Sequence, residues 1–212
     1  MIQHMSIQQA YNQWAAQYDT NENKTRDAEA IVLQTLLNDV AFERCLEVGC
    51  GTGKNTIWLQ HKAKLLLGVD FSEAMLQAAK RKINHPNVQF LQANILEPWH
   101  FVQQSFDLVV FSLVLEHIED LETIFKKAAN ALVPGGYMYV GELHPFKQYN
   151  GSKARFEDAA GLQVLTCYVH HFAEFINSGL NAGFSVKKVH EYFDEGVDTY
   201  QPRILGVLFQ KL

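Results

Sequence analysis

Short uninterrupted apolar runs alternate along this chain with stretches in which apolar residues recur every three or four positions, a pattern of strands linked by helices. Between Lys24 and Asn38, the residues Ala28, Ile31, Val32 or Leu33, and Leu36 fall at helical spacing, predicting an amphipathic helix. Cys45–Val48 reads as a strand running into a glycine-rich bend over 49–53, with a helix expected to begin near Asn55. Lys64–Asp70 is a second, buried strand. Ser72 suits the N-cap of a helix through Lys82, whose last turn carries Lys80, Arg81 and Lys82 against the negative end of the helix dipole. Pro86 blocks its continuation. Val88–Gln92 is a third strand, and Phe106–Leu113 is a fourth, continuously apolar as expected of a strand covered on both faces. A helix over Asp120–Leu132, a turn at Pro134–Gly136 and a fifth strand at Tyr137–Leu143 follow. Phe172–Ala182 is helical in pattern and Gly183 ends it. Ser185–Tyr192 and Arg203–Lys211 are strands with no helical pattern between them.

Strand–helix alternation implies parallel βαβ units, and two helix-free strands at the end imply an antiparallel hairpin. The expected fold is α/β: one doubly wound domain over 1–212, with a mostly parallel sheet. The segment 144–171 has no clear period and lies where a lid over the site is expected.

Composition narrows the function. Eighteen Lys plus Arg against 23 Asp plus Glu leave a net charge of −5, which disfavours a nucleic-acid partner. No apolar run approaches the length of a membrane helix, and no signal-like segment opens the sequence, so neither a membrane partner nor secretion is expected. Three scattered cysteines without a C-x-x-C pair argue against a disulfide framework or a structural zinc, and fit the cytoplasm.

The sharpest chemical signal is Glu47-Val-Gly-Cys-Gly-Thr-Gly53. Glycines at 49, 51 and 53 clear side chains from a strand-to-helix turn, so that a ligand can approach the backbone. Lys54 stands where a dinucleotide fingerprint needs its last glycine, and Asn55 departs from the phosphate P-loop pattern. The second strand ends in Asp70, placed to accept hydrogen bonds from ribose hydroxyls or, alternatively, to cap the next helix. Phe71 and Met75, one helical turn apart, can wall an adenine ring, although Met75 also suits plain core. Asn94 and Ile95 end the third strand, and the amide can meet an adenine edge or simply make a turn.

In this order and spacing, Glu47–Gly53, Gly68–Asp70, Ala93-Asn94, Phe106–Ser112 with Leu115–Ile118, and Leu132–Gly136 resemble the class I S-adenosylmethionine-dependent methyltransferases, specifically their small-molecule (type 11/25-like) group. The resemblance runs from Tyr11 to Leu212. It implies a seven-stranded Rossmann-like domain that uses S-adenosylmethionine and releases S-adenosylhomocysteine. Glu47 and Gly49 would flank the methionyl amino group, with Cys50 beside them as a small residue of the loop. Gly51 would lie against the cofactor and Asp70 would hold its ribose. Asn94 replaces the family's usual aspartate near the adenine, with Ile95 next to it. Phe111 and Ser112 would sit under the sulfonium. Tyr11 and Tyr18, in an N-terminal helical cap over 1–38, resemble the tyrosines that close over the cofactor in relatives, or else staple the cap to the core.

Methyl transfer from a sulfonium needs alignment and the exclusion of water more than acid–base chemistry. A base is required only for an acceptor such as a phenol. His117, which faces the mouth of the site in the family, and His144, at the carboxyl edge of the sheet, are the candidate bases; a rim histidine without chemical role is the plainer reading of each. His170 and His171 read as surface or lid residues, and no histidine pair has a metal-ligand motif, so no metal is expected. Phe146, Lys147, Tyr149, Lys153 and Arg155 in the lid could hold an aromatic or anionic acceptor, or be solvated loop side chains. The expected function is methyl transfer to an oxygen, nitrogen or carbon of a small molecule. The alternatives are a macromolecular acceptor (RNA or protein), a silent cofactor-binding protein, and a nicotinamide dehydrogenase, the last disfavoured by Lys54.

Overall fold

The computed structural model describes residues 6–158, 161–196 and 200–212. In chain order its elements are α1 (Ile7–Trp14), α2 (Lys24–Leu37), β1 (Arg44–Val48), α3 (Thr56–Leu59), β2 (Leu65–Asp70), α4 (Glu73–Lys82), β3 (Val88–Gln92) and β4 (Phe106–Ser112). A single 3-10 turn at Leu115–His117 leads to α5 (Leu121–Ala131), β5 (Leu132–Leu143) and α6 (Pro145–Tyr149). Then come β6 (Arg155–Asp158), β7 (Gly161–Val164), α7 (Phe172–Asn181), β8 (Phe184–Phe193) and β9 (Pro202–Lys211).

The main sheet has seven strands in the order β3-β2-β1-β4-β5-β9-β8. Its first five strands are mutually parallel, and β9 runs antiparallel to both β5 and β8. The doubly wound architecture and its terminal hairpin are thus as the sequence pattern implies. Period-two alternation splits β4 between two cores. Leu108 and Val110 pack with Val32, Leu33, Leu36 and Leu37 of α2, whereas Val109 and Phe111 pack with Phe125 of α5 and Phe175 of α7. Strand order reverses between β1 and β4, and Val48 pairs with Val69 on one side and Phe111 on the other. The carboxyl ends of three strands therefore open on one crevice.

Several element-level expectations are adjusted. Ile31 points to solvent, 51% exposed, because the buried stripe of α2 is Val32, Leu33, Leu36 and Leu37. The Pro134–Gly136 turn lies inside a longer β5. Phe106 pairs with Leu132 and Leu108 with Tyr137, so the proline and glycines form a bulge in the strand rather than a break before it. The 144–171 segment contains α6 and a separate two-stranded sheet, β6–β7. Residues 159 and 160 of that segment, and 1–5 of the N-terminal cap, lie outside the described residues.

Candidate active site

The bend after β1 is built by hydrogen bonds that leave its crest bare. Gly49 and Cys50 donate their backbone N–H groups to Val69 O at 2.8 and 3.0 Å, and Gly51 donates to Asp70 Oδ2 at 2.8 Å. Gly49 and Gly51 have φ of +71° and +54°, a region that other residues enter only at a cost. A Cβ on Gly49 would lie 2.6 Å from Val114 Cγ2, whereas a Cβ on Gly51 would meet nothing within 4 Å. The space above Gly51 is a cavity of about 330 Å³.

Asp70, buried at the end of β2, forms one wall of this cavity. Its Oδ1 accepts from Ser72 N at 2.8 Å while Oδ2 takes the Gly51 N–H, so both oxygens are aimed by backbone donors. Burial raises its carboxyl to about 6 against the opposing pull of these backbone donors. Phe71, Met75, Asn94 and Ile95 also line it. Asn94 Oδ1 accepts from Leu96 N at 3.1 Å, so its carbonyl also makes the turn.

Helix α1 covers the opening. Ser6 caps it in a reciprocal box with Gln9, and two residues one turn apart fasten it down. Gln8 Nε2 donates to Phe71 O at 2.7 Å, and Asn12 Oδ1 accepts from Ser72 Oγ at 2.7 Å. Between them Tyr11 enters the cavity and bonds His117 Nε2 at 2.8 Å. His117 Nδ1 lies 3.0 Å from Thr166 O. A carbonyl only accepts, so Nδ1 carries the proton and Nε2 receives the Tyr11 hydroxyl. Tyr18 lies beneath the Arg26 guanidinium, 4.1 Å from its ring centre, and burial lifts its phenol to about 12.

A smaller neck of about 50 Å³ adjoins the first cavity and is lined by Glu47, Gly49, Cys50, Gly51 and Ser112 among others. Glu47 accepts from Thr56 Oγ1, and burial lifts its carboxyl to about 8. The Cys50 thiol is held far above its ordinary range by burial, the opposite of what activates a thiolate. Ser112 closes the neck through a buried network: Asn55 Nδ2 donates to Ser112 Oγ at 2.9 Å and to Glu29 Oε2 at 2.8 Å, and Tyr139 OH donates to Glu29 Oε1 at 2.9 Å.

Tyr11, Tyr18, Gly49, Gly51, Asp70, Phe71, Met75, Asn94, Ile95, Ser112 and His117 are therefore brought together around one cavity, with Glu47 and Cys50 at its neck. Two candidates are corrected. Phe111 is fully buried against Phe125 and lines neither space, since adjacent residues of a strand face opposite ways and Ser112 takes the side toward the site. His144 caps α6: its Nδ1 accepts from Phe146 N at 3.1 Å and its Nε2 donates to Glu191 Oε1 at 2.9 Å. Both ring nitrogens are committed, burial holds the imidazole below its usual range, and the residue lines no cavity described here. In this arrangement the ring holds the start of α6 rather than facing the cavity. Unforeseen were Glu29, Arg26 and Leu113. Leu113 sits at φ +52°, uncommon for a branched side chain, where the cavities meet. Its conformation follows from Glu142, whose Oε1 receives the N–H groups of Val114 and Leu115. None of these carries a local sequence signature.

Among the described residues no cluster of His, Cys, Asp or Glu could hold a metal ion, and no helix is long and apolar enough to cross a membrane.

A family model described as a methyltransferase domain matches residues 46–140, which hold the bend, Asp70, Asn94, Ser112 and His117. An uncharacterised methyltransferase of Emericella nidulans is 27% identical over 87% of this chain and 78% of its own length. A demethylmenaquinone methyltransferase of Lactococcus lactis is 30% identical over 61% of this chain, which spans 55% of that relative. Among solved structures, an S-adenosylmethionine-dependent methyltransferase from Listeria monocytogenes superposes with a TM-score of 0.71 at 27% identity, covering 88% of this chain and 99% of its own. The open glycine bend, the aimed acid at the end of β2 and the strand order accord with that likeness, so that in sequence and in fold the chain resembles the class I S-adenosylmethionine-dependent methyltransferases.

Proposed function

We propose that this chain transfers the methyl group of S-adenosylmethionine to a small-molecule acceptor. Asp70 would hold the ribose through its aimed carboxylate, and Phe71, Met75, Asn94 and Ile95 would enclose the adenine. The bare crest at Gly51 would lie against the adenosyl portion, with the methionyl end in the neck by Glu47, Gly49, Cys50 and Ser112. The cofactor supplies an electrophilic methyl carbon on its sulfonium. What remains for the chain is to align the acceptor and keep water away, the task suited to Tyr11, Tyr18 and helix α1 over the mouth.

His117 is the proton acceptor available to an alcohol or phenol: its Nε2 is the unprotonated nitrogen, and it is reached once the Tyr11 hydroxyl yields that bond to the acceptor's own hydroxyl. The acceptor itself would enter through a second chamber of about 440 Å³ that shares Tyr11, Tyr18 and Leu113 with the cofactor cavity. That volume suits a metabolite. The names of relatives such as the demethylmenaquinone methyltransferase support a small acceptor.

The observation that carries this reading is Asp70, with both oxygens oriented beside a bend whose crest opens on the same cavity. Calorimetry with S-adenosylhomocysteine is its test. Binding by the wild type is expected, weakened by about 1–3 kcal/mol in Asp70→Ala. An unchanged dissociation constant in the variant refutes the ribose assignment, and transfer of radiolabelled methyl to a metabolite extract checks the activity.

A further inference from the structure

The second chamber differs in character from the cofactor cavity beside it. Lys147 in α6, Lys153 on the following loop and Arg155 at the start of β6 all line it. Among the described residues none of the three pairs with a carboxylate, in a chain that carries five more acidic than basic side chains. Arg203, also in the wall, is neutralised: its Nε donates to both oxygens of Asp194, at 2.7 and 2.9 Å. Glu116 is the lining carboxyl; it is buried, and that burial holds it above its ordinary range.

Arg26 stands between this chamber and the neck. It is 8% exposed, its terminal nitrogens donate to the carbonyls of Tyr18 and Asn21, and its buried Nε has no partner. A buried guanidinium with no carboxylate partner is costly until an anion meets it. Neutral donors complete the lining, with Asn23, Thr25 and Ser152 among them. Tyr11, Tyr18 and Leu113 form the wall shared with the cofactor cavity, while the lysines and Arg155 belong to segments remote from it in sequence.

We propose that the methyl acceptor carries an oxyanion, a carboxylate or a phosphoryl group, and that Lys147, Lys153 and Arg155 bind it in this chamber while the reacting atom is presented at the wall of Tyr11, Tyr18 and Leu113. The proposal rests on the methyltransferase reading for the role of the chamber, but the oxyanion site is measurable by itself. Arginine and lysine together accept either headgroup, arginine by a two-pronged bond and lysine as a point charge.

The test titrates the protein saturated with S-adenosylhomocysteine with benzoate, phenylphosphonate and the uncharged benzamide. The two anions are expected to bind at least about tenfold more tightly than benzamide, and to weaken by about tenfold in a Lys153→Ala/Arg155→Ala variant whose affinity for S-adenosylhomocysteine is unchanged. Whichever anion binds more tightly identifies the headgroup. Raising the salt from 0.05 to 0.5 M should weaken the anions and leave benzamide unaffected, a comparison made on the wild type alone. Equal binding of benzamide and benzoate, or anion binding indifferent to both the variant and salt, overturns the proposal. Failure of S-adenosylhomocysteine to bind instead overturns the methyltransferase reading, and the same anion titration on the free protein still reports on the chamber.

Discussion

At Gly49 and Gly51 the same substitution should have two different consequences. Alanine at 51 places its methyl in open space, so the protein loses only what a left-handed backbone costs a non-glycine residue, about 1–2 kcal/mol, while the methyl enters the volume assigned to the cofactor. S-adenosylhomocysteine binding measured by calorimetry should fall far more than stability. Alanine at 49 carries the same backbone strain and also drives a methyl into Val114, so thermal denaturation should show it as the less stable variant. Asp70 gives the pH counterpart. Its carboxyl titrates near 6, so affinity for S-adenosylhomocysteine should decline as pH falls through 6, and Asp70→Asn should bind weakly and without that decline. These residues were legible because the chemistry needs glycines in the bend after one strand and an acid at the end of the next. His144 was misleading for a physical reason: its ring nitrogen can accept from a backbone N–H where Pro145 opens a helix, and the sequence does not distinguish a ring that caps α6 from one that faces a ligand.

Elements were readable wherever local signals agreed with burial. Helix α4 has the cap at Ser72, the basic last turn and the buried Met75, Leu76, Ala78 and Ala79 that its pattern implies. The β6–β7 hairpin was not readable, because its strands are four residues each, too short to show a period. Phe156 is buried and stacks on Trp14 of α1 with ring centres 5.1 Å apart. That contact ties the hairpin to the helix that covers the cavity, and both then rest on Met75 in a core separate from the two that sandwich the sheet. Phe156→Ala should therefore loosen α1 without unfolding the sheet. Amide exchange in 7–14 should quicken and S-adenosylhomocysteine should bind more weakly, while exchange in β1, β4 and β5 stays slow. Quickened exchange across the sheet as well would show that this small core is part of the global unit.

Across the whole molecule, the crevice is surrounded by buried carboxyls with few cations to match them. Burial lifts Glu47 and Glu142 to about 8, and raises Glu29 as well. In the unfolded chain all three titrate near 4.5. The folded protein therefore binds more protons than the unfolded chain between pH 4.5 and 8, and stability from these groups is complete below that window and lost as pH rises through it. Asp19, Asp107 and Asp194 act the other way. Lys82, Arg44 and Arg203 hold them below their ordinary range, so what they contribute is lost only in stronger acid. Thermal stability without cofactor should thus be greatest near pH 5 and decline toward pH 8. Glu142 offers the cleanest check, since one oxygen holds the Val114 and Leu115 N–H groups and the other is buried without a partner. In Glu142→Gln the amide carbonyl can keep both backbone bonds while the buried charge disappears. Its melting temperature should exceed that of the wild type at pH 8, by about 2–4 °C for each kcal/mol recovered, and the two should converge toward pH 5. A variant that melts below the wild type by the same amount at both values would mean that Glu142 is charged in the folded protein, and that the strained turn at Leu113 is held by a carboxylate.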